Sequence, residues 1–222
     1  VFSSLSNYSV IYDTAVHPVT YIITENLKGI VLAFAILYIA IFSSELVWRS
    51  RSSNCDFFED SSPLRNSIKA ISHVSTLTIS LAILWIIGSI IGVGYQLYFG
   101  FYNIDLSLYL AYGGMLLIPV IMLSAVAVLF QNIMPNRMAG ILLFFGFFTL
   151  IDYFPYLGLE HPLWQLFDLP SVIFSDMNGF GSFLPKYFTF VIYWLSFSFM
   201  LFILAIRVYR TGANQGFKVR IK

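Results

Sequence analysis

The chain has 222 residues, of which 59 % are hydrophobic, 18 % aromatic and only 10 % charged, with a formal net charge of +1. A soluble domain carries about 25 % charged residues, so the composition excludes an ordinary soluble domain, a disordered tail, a coiled coil and a nucleic-acid binder. With 23 Phe and a mean hydropathy of +0.82, the class left is an integral membrane protein. The single cysteine, Cys55, excludes an intramolecular disulfide framework. Three histidines are too few and too scattered to mark a metal site.

Residues 1–26 are polar and mixed, with Asp13, His17, Pro18 and Glu25. They lack the basic start and apolar centre of a signal peptide. Because the chain opens on Val1, it reads as a piece of a longer protein, with 1–26 an extracytoplasmic loop that follows a missing first helix. A helix needs about 20 apolar residues to cross the hydrocarbon core, and five stretches qualify. The first is 27–48, free of charge between Lys28 and Glu45. The connector 49–70 follows, the only charge-dense stretch between spans. In it Asp56, Glu59 and Asp60 flank Phe57 and Phe58; these residues fit a solvated connector, and equally a short amphipathic surface helix, ended by Pro63, that docks a partner.

The second span, 71–99, holds Gly88 and Gly92 at a spacing that permits close helix contact. The third, 106–133, carries Pro119 near its middle, where a kink is expected. The fourth, 138–157, is rich in Phe and ends near Asp152 and Pro155. An outer loop, 155–187, is long for a connector. Its aromatic residues suit a membrane interface, and Asp176-Met177-Asn178-Gly179 signals a turn. The fifth span is 187–209, followed by a tail, 211–222. All-round apolarity argues for helices that cross the bilayer, and the missing alternation argues against strands.

Lys and Arg set the expected orientation. Arg49, Arg51, Arg65, Lys69, Arg137, Arg207, Arg210, Lys218, Arg220 and Lys222 fall on one side of the five spans, and only Lys28 and Lys186 on the other. Most acids lean the other way. The topology predicted is an outside start and a cytoplasmic C-terminus in a bacterial-type inner membrane.

Chemistry-bearing motifs are sparse. The chain has no H-E-x-x-H pair, no phosphate loop and no G-x-S-x-G elbow. Asp176-x-Asn178-Gly179 is similar to the opening of a calcium loop, but Tyr187 stands where the last acidic ligand belongs. Ionisable residues within spans mark function. Here they are Glu45 and His73, expected to face each other near helix ends, and Asp152 at the outer end of the fourth span. No charge is expected in the middle of the bundle, a pattern that fits apolar cargo or mechanical work and leaves an intramembrane enzyme without evident catalytic groups.

Several stretches resemble a known family. Glu45-Leu-Val-Trp48-Arg49-Ser-Arg51, followed by Ser-Ser-Pro63-Leu-Arg65, looks like the junction of second helix, coupling helix and third helix in ABC-2-type transporter permeases, with Ser50 and Ser52 in place of acidic residues. Residues 95–110, 161–166 and above all 174–194 (FSDMNGFGSFLPKYFTFVIYW) are similar to a subgroup fused to a membrane alanyl aminopeptidase-like zinc metallopeptidase domain. The outer-loop motif comprises Asp176, Asn178, Gly179 and Gly181.

The resemblance covers about 27–210. It implies an all-α fold: a five-helix transmembrane bundle, the ABC-2 permease half without its first helix. It implies a partner ABC ATPase that hydrolyses ATP, and a second permease half in the same chain or in a homo-oligomer. Zinc would belong to a peptidase domain elsewhere in the parent, and this chain would hold no cofactor and no catalytic residue. Loop 49–70 would seat in the ATPase, with Arg49, Arg51, Phe57, Phe58 and Arg65 transmitting force. The alternative is a membrane scaffold that anchors the peptidase-like domain and moves no cargo.

Overall fold

The structure, a computed structural model, describes residues 10–11, 14–15, 18–53, 55, 64–158, 167, 169–175, 177–181 and 183–209. Side chains are described for these except at 10, 11, 14, 15, 51 and 152. The candidate short helix around Phe57 and Phe58 lies outside the described residues, as do Asp176 and the tail.

The architecture is all-α. A two-residue antiparallel pair, β1 (Val10–Ile11) and β2 (Thr14–Ala15), precedes the helices. Then come α1 (Thr20–Ser52), α2 (Asn66–Tyr98), α3 (Leu106–Ile133), α4 (Arg137–Asp152), a 3-10 turn (Phe154–Leu157) and α5 (Phe183–Arg207). Four of these helices, α1, α2, α3 and α5, are long and apolar enough to cross a membrane. Helix is the form such residues take in lipid, since it pairs every backbone polar group within the segment. The chain is thus a multi-pass membrane protein by the length and apolarity of its helices.

Several bounds differ from the expected ones. α1 starts at Thr20, so residues 20–26 are helical and Lys28 lies two turns inside the helix. Thr24 Oγ1 bonds back to the Thr20 carbonyl at 2.9 Å and Asn26 Nδ2 to the Ile22 carbonyl at 2.8 Å, which lets polar residues sit in a helix. α2 runs five residues further into the connector 49–70 than the second predicted span, starting at Asn66, and α5 takes in Phe183–Lys186 from the outer loop. α3 has the bounds of the third predicted span, and Pro119 sits inside its unbroken length.

The fourth span is the main correction. α4 has 16 residues, about 24 Å at 1.5 Å per residue, against a hydrocarbon core of about 30 Å. Pro155 ends the α-helical run: the chain tightens into the 3-10 turn, which Gly158 closes in a left-handed conformation at φ 82°.

By contacts the chain forms two compact units, 1–37 with 78–120 and 38–77 with 121–222. In the first, the start of α1, the end of α2 and the start of α3 pack side by side. Gly88 and Gly92 receive α1: a Cβ on Gly88 would stand 2.8 Å from Leu27 Cδ1, and one on Gly92 2.9 Å from Tyr109 Oη and 3.1 Å from Ile23 Cγ2. Gly92→Ala is expected to cost ~1–3 kcal/mol by overpacking, read by thermal unfolding in detergent. Gly114→Ala, in open space, is the control with no such loss.

A buried polar knot closes the same unit. Gln96 is fully enclosed. Its Nε2 donates to the Pro18 carbonyl at 3.1 Å and to Thr20 Oγ1 at 3.0 Å, and its Oε1 accepts from Tyr109 Oη at 3.0 Å. Thr20 Oγ1 also accepts from the Asp105 backbone N–H at 3.4 Å. Beneath, Trp85 Nε1 donates to the Tyr109 carbonyl at 3.2 Å. Its ring occupies the space beside Gly113 that a Cβ would need.

Candidate functional site at the basic helix ends

The second unit gathers the ends of five helices, and each helps to hold the others. On α1, Glu45 and Trp48 lie three apart and therefore share a face. Arg137, the first residue of α4, reaches Glu45 Oε1 through Nη2 at 2.5 Å and donates from Nε to Ser44 Oγ at 3.2 Å. Trp48 Nε1 donates to Gln131 Oε1 at 3.1 Å, near the end of α3. The Gln131 amide lies against Gly140 of α4, in the space a β-carbon would fill. One strip of α1 thus grips the corner between α3 and α4 at two points.

The remaining ends join through α5. Asn132 Nδ2, at the end of α3, donates to the Ala205 carbonyl at 3.5 Å. Just past α5, Tyr209 meets the start of α2: its Oη lies 3.3 Å from His73 Nε2, and the Lys69 ammonium stands 5.9 Å from its ring centroid. Lys69 is 8 % exposed, so a cation is buried here against an aromatic face. Gln131 and Asn132 are each about 1 % exposed. Buried polar groups hold a bundle only when paired, and the bonds above pair them.

The five ends lie together, so α3 and α5 run in the same direction within this unit. The chain from Arg137 to Phe183 therefore travels the length of α5, 25 residues or about 37 Å. α4, about 24 Å long, covers part of that distance.

The structure places the predicted residues unevenly. Arg49 and Arg65 are exposed, one turn beyond Glu45 and just ahead of α2 respectively. Arg51 lies in α1, its side chain outside the described residues, and Phe57 and Phe58 are outside them altogether. Glu45 and His73 do not act as a mutual pair: Glu45 takes Arg137 and His73 meets Tyr209. In the outer loop, Asn178 and Gly179 form a tight turn in which the Ser175 N–H donates to the Gly179 carbonyl at 2.9 Å. Gly179 and Gly181 have φ of 57° and 48°, which favours glycine. Met177 stands wholly exposed at its tip.

Ser44, Gln131, Asn132 and Tyr209 were not singled out from sequence. Their signal was the presence of amides and hydroxyls at the end of apolar runs, which single-sequence hydropathy registers only as a boundary.

The Glu45–Arg137 pair is open to test. Its side chains are 47 % and 41 % exposed, and a half-exposed pair contributes about 0.5–1 kcal/mol. A double-mutant cycle with Glu45→Gln and Arg137→Gln, read by unfolding in detergent, is expected to give a coupling in that range.

Set against protein-family models, curated proteins and solved structures, the chain matches none. The class defined by the fold is an all-α, multi-pass membrane protein.

Proposed function

We propose that the chain is the membrane-spanning portion of an ABC-2-type permease, moving a substrate with ATP hydrolysed by a partner ATPase. The observation that carries this reading is the engagement of Glu45 and Trp48. These two residues anchor the sequence resemblance, and they clamp α1 to the α3–α4 corner. In this reading loop 49–70 is the coupling element; its first four residues continue α1, which ends at Ser52, seven residues after Glu45. It returns at α2, whose Lys69 and His73 abut Tyr209 beyond α5. A push on the loop from a closing ATPase dimer therefore acts on both helices that flank it and, through Arg137, Gln131 and Asn132, on the other three. A transport cycle is a two-state shift driven by differential binding, and a bundle whose ends move as one layer can follow such a shift.

Arg49, Arg65, Lys69, Arg137 and Arg207 lie at or next to these helix ends, and five more of the twelve Lys and Arg fall in sequence within the connector 49–70 or after α5. This supports a cytoplasmic placement of loop 49–70 and of the C-terminus, by the positive-inside rule, in a bacterial-type inner membrane.

The test is affinity purification of the chain, in its native membrane complex, from mild detergent, with mass spectrometry of what co-purifies. A stoichiometric ATPase, whose turnover changes when the two are reconstituted together, is the expected result. A peptidase-bearing complex with no ATPase would replace this reading with a membrane scaffold.

A further inference from the structure

Lys28 is the basic residue set deepest within a membrane-spanning helix among the described residues, eight positions in from Thr20. It is half-buried. Its ammonium stands 5.4 Å from the centroid of the Tyr112 ring on α3, and that ring is fully enclosed. A lysine ammonium has three donors and no acceptor. No described residue forms a hydrogen bond or ion pair with Lys28, and the Glu25 carboxylate one turn earlier acts on it only as a nearby opposite charge. A cation set within a membrane span is costly and points to function.

The surface around it is built for a chain as well as a charge. Leu32 and Ile36 follow Lys28 at helical spacing and are half-buried. Beside them Gly29 and Ala33 are exposed, and a Cβ on Gly29 would meet nothing within 4 Å. By side-chain size, Gly29 and Ala33 beside the larger Leu32 and Ile36 make a low strip along α1, a shallow trough next to Lys28, with Leu37 exposed beyond it. A free anion would satisfy the charge and leave the trough empty. A neutral lipid would fill the trough and bring the ammonium no net negative charge. We propose that Lys28 and this strip of α1 form a site for an anionic phospholipid, its phosphate on the Lys28 ammonium over Tyr112 and one acyl chain along Gly29 and Ala33. The inference needs only the membrane class of the protein and stands apart from the transport reading.

The experiment is a titration of the full chain in detergent, followed by native mass spectrometry, with phosphatidylglycerol and phosphatidylcholine of equal chain length and with inorganic phosphate. The wild type is expected to hold phosphatidylglycerol about fivefold more tightly than phosphatidylcholine, the order set by one lysine at an anionic headgroup. Lys28→Gln should remove that preference and Lys28→Arg keep it. Gly29→Leu, which has open space around it, should weaken both lipids while leaving the preference. An unchanged preference in Lys28→Gln overturns the proposal, and so does displacement of the lipid by inorganic phosphate with no effect of Gly29→Leu. Should Lys28→Gln fail to fold, the Lys28→Arg and Gly29→Leu results decide by themselves: lipid binding unaltered by Gly29→Leu sinks the site.

Discussion

Replacing Phe57 and Phe58 together by Ala is expected, on the permease reading proposed above, to strip the ATPase from the purified complex, lowering the retained fraction by tenfold or more. The reasoning is one of area. A Phe side chain that leaves water for an apolar cleft contributes about 1.5–3 kcal/mol, and ~1.4 kcal/mol is already tenfold in an equilibrium. The neighbouring Asp56, Glu59 and Asp60 are charged, so the two rings are the apolar content of residues 56–60. The same substitution should leave the bundle's thermal stability unchanged. If the ATPase stays bound at wild-type stoichiometry and expression is normal, the coupling role given to loop 49–70 is wrong.

The second large effect concerns stability. Gln96→Leu keeps the approximate volume of the side chain and removes three hydrogen bonds at once. The Pro18 carbonyl, Thr20 Oγ1 and Tyr109 Oη then lose their partner inside an enclosed unit. Each orphaned buried group costs ~1–3 kcal/mol in a soluble protein, and about 0.6 kcal/mol on average between membrane helices. A loss of about 2–4 kcal/mol is therefore expected, measured as a lowered unfolding midpoint in detergent. Tyr109→Phe removes one of the three bonds and should cost roughly a third as much. A Gln96→Leu protein as stable as the wild type would mean that apolar packing at Gly88 and Gly92, and not the polar knot, joins α1 to the ends of α2 and α3.

Both predictions draw on the same division of labour within the molecule. Apolar surface drives the helices into the bilayer, and it is abundant: Ile79, Ile83, Ile86, Ile90 and Leu110 are all more than half exposed. In lipid such surface gives no preference for one helix over another, because acyl chains are as apolar as isoleucine. Specific arrangement has to come from close-packed small residues and from paired polar groups. Gly88, Gly92 and Gly113 provide the first, and Gln96, Gln131, Asn132 and Arg137 the second.

That physics separates what could be read in the residues from what could not. The membrane class, the all-α fold and the positions of the long apolar helices follow from composition and hydropathy, because a run of about 20 apolar residues has one stable form in lipid. The close approach at Gly88 and Gly92 was legible from their spacing. The length of α4 was not: residues 138–157 are apolar apart from Thr149 and Asp152, and the local backbone chemistry of Pro155 and Gly158 turns the chain out of the α-helix after Asp152. Nor was the pairing of Glu45. Its distance in sequence from His73 and from Arg137 says nothing about which of them it meets, and the tertiary packing of α1 against the α3–α4 corner chose Arg137. The same holds for Lys28, which reads from sequence as a residue at a helix end and proves to lie two turns inside α1 on the face of Tyr112. Hydropathy is a property of a segment and is summed along the chain. A partner is a property of a direction in space, and only the folded bundle assigns it.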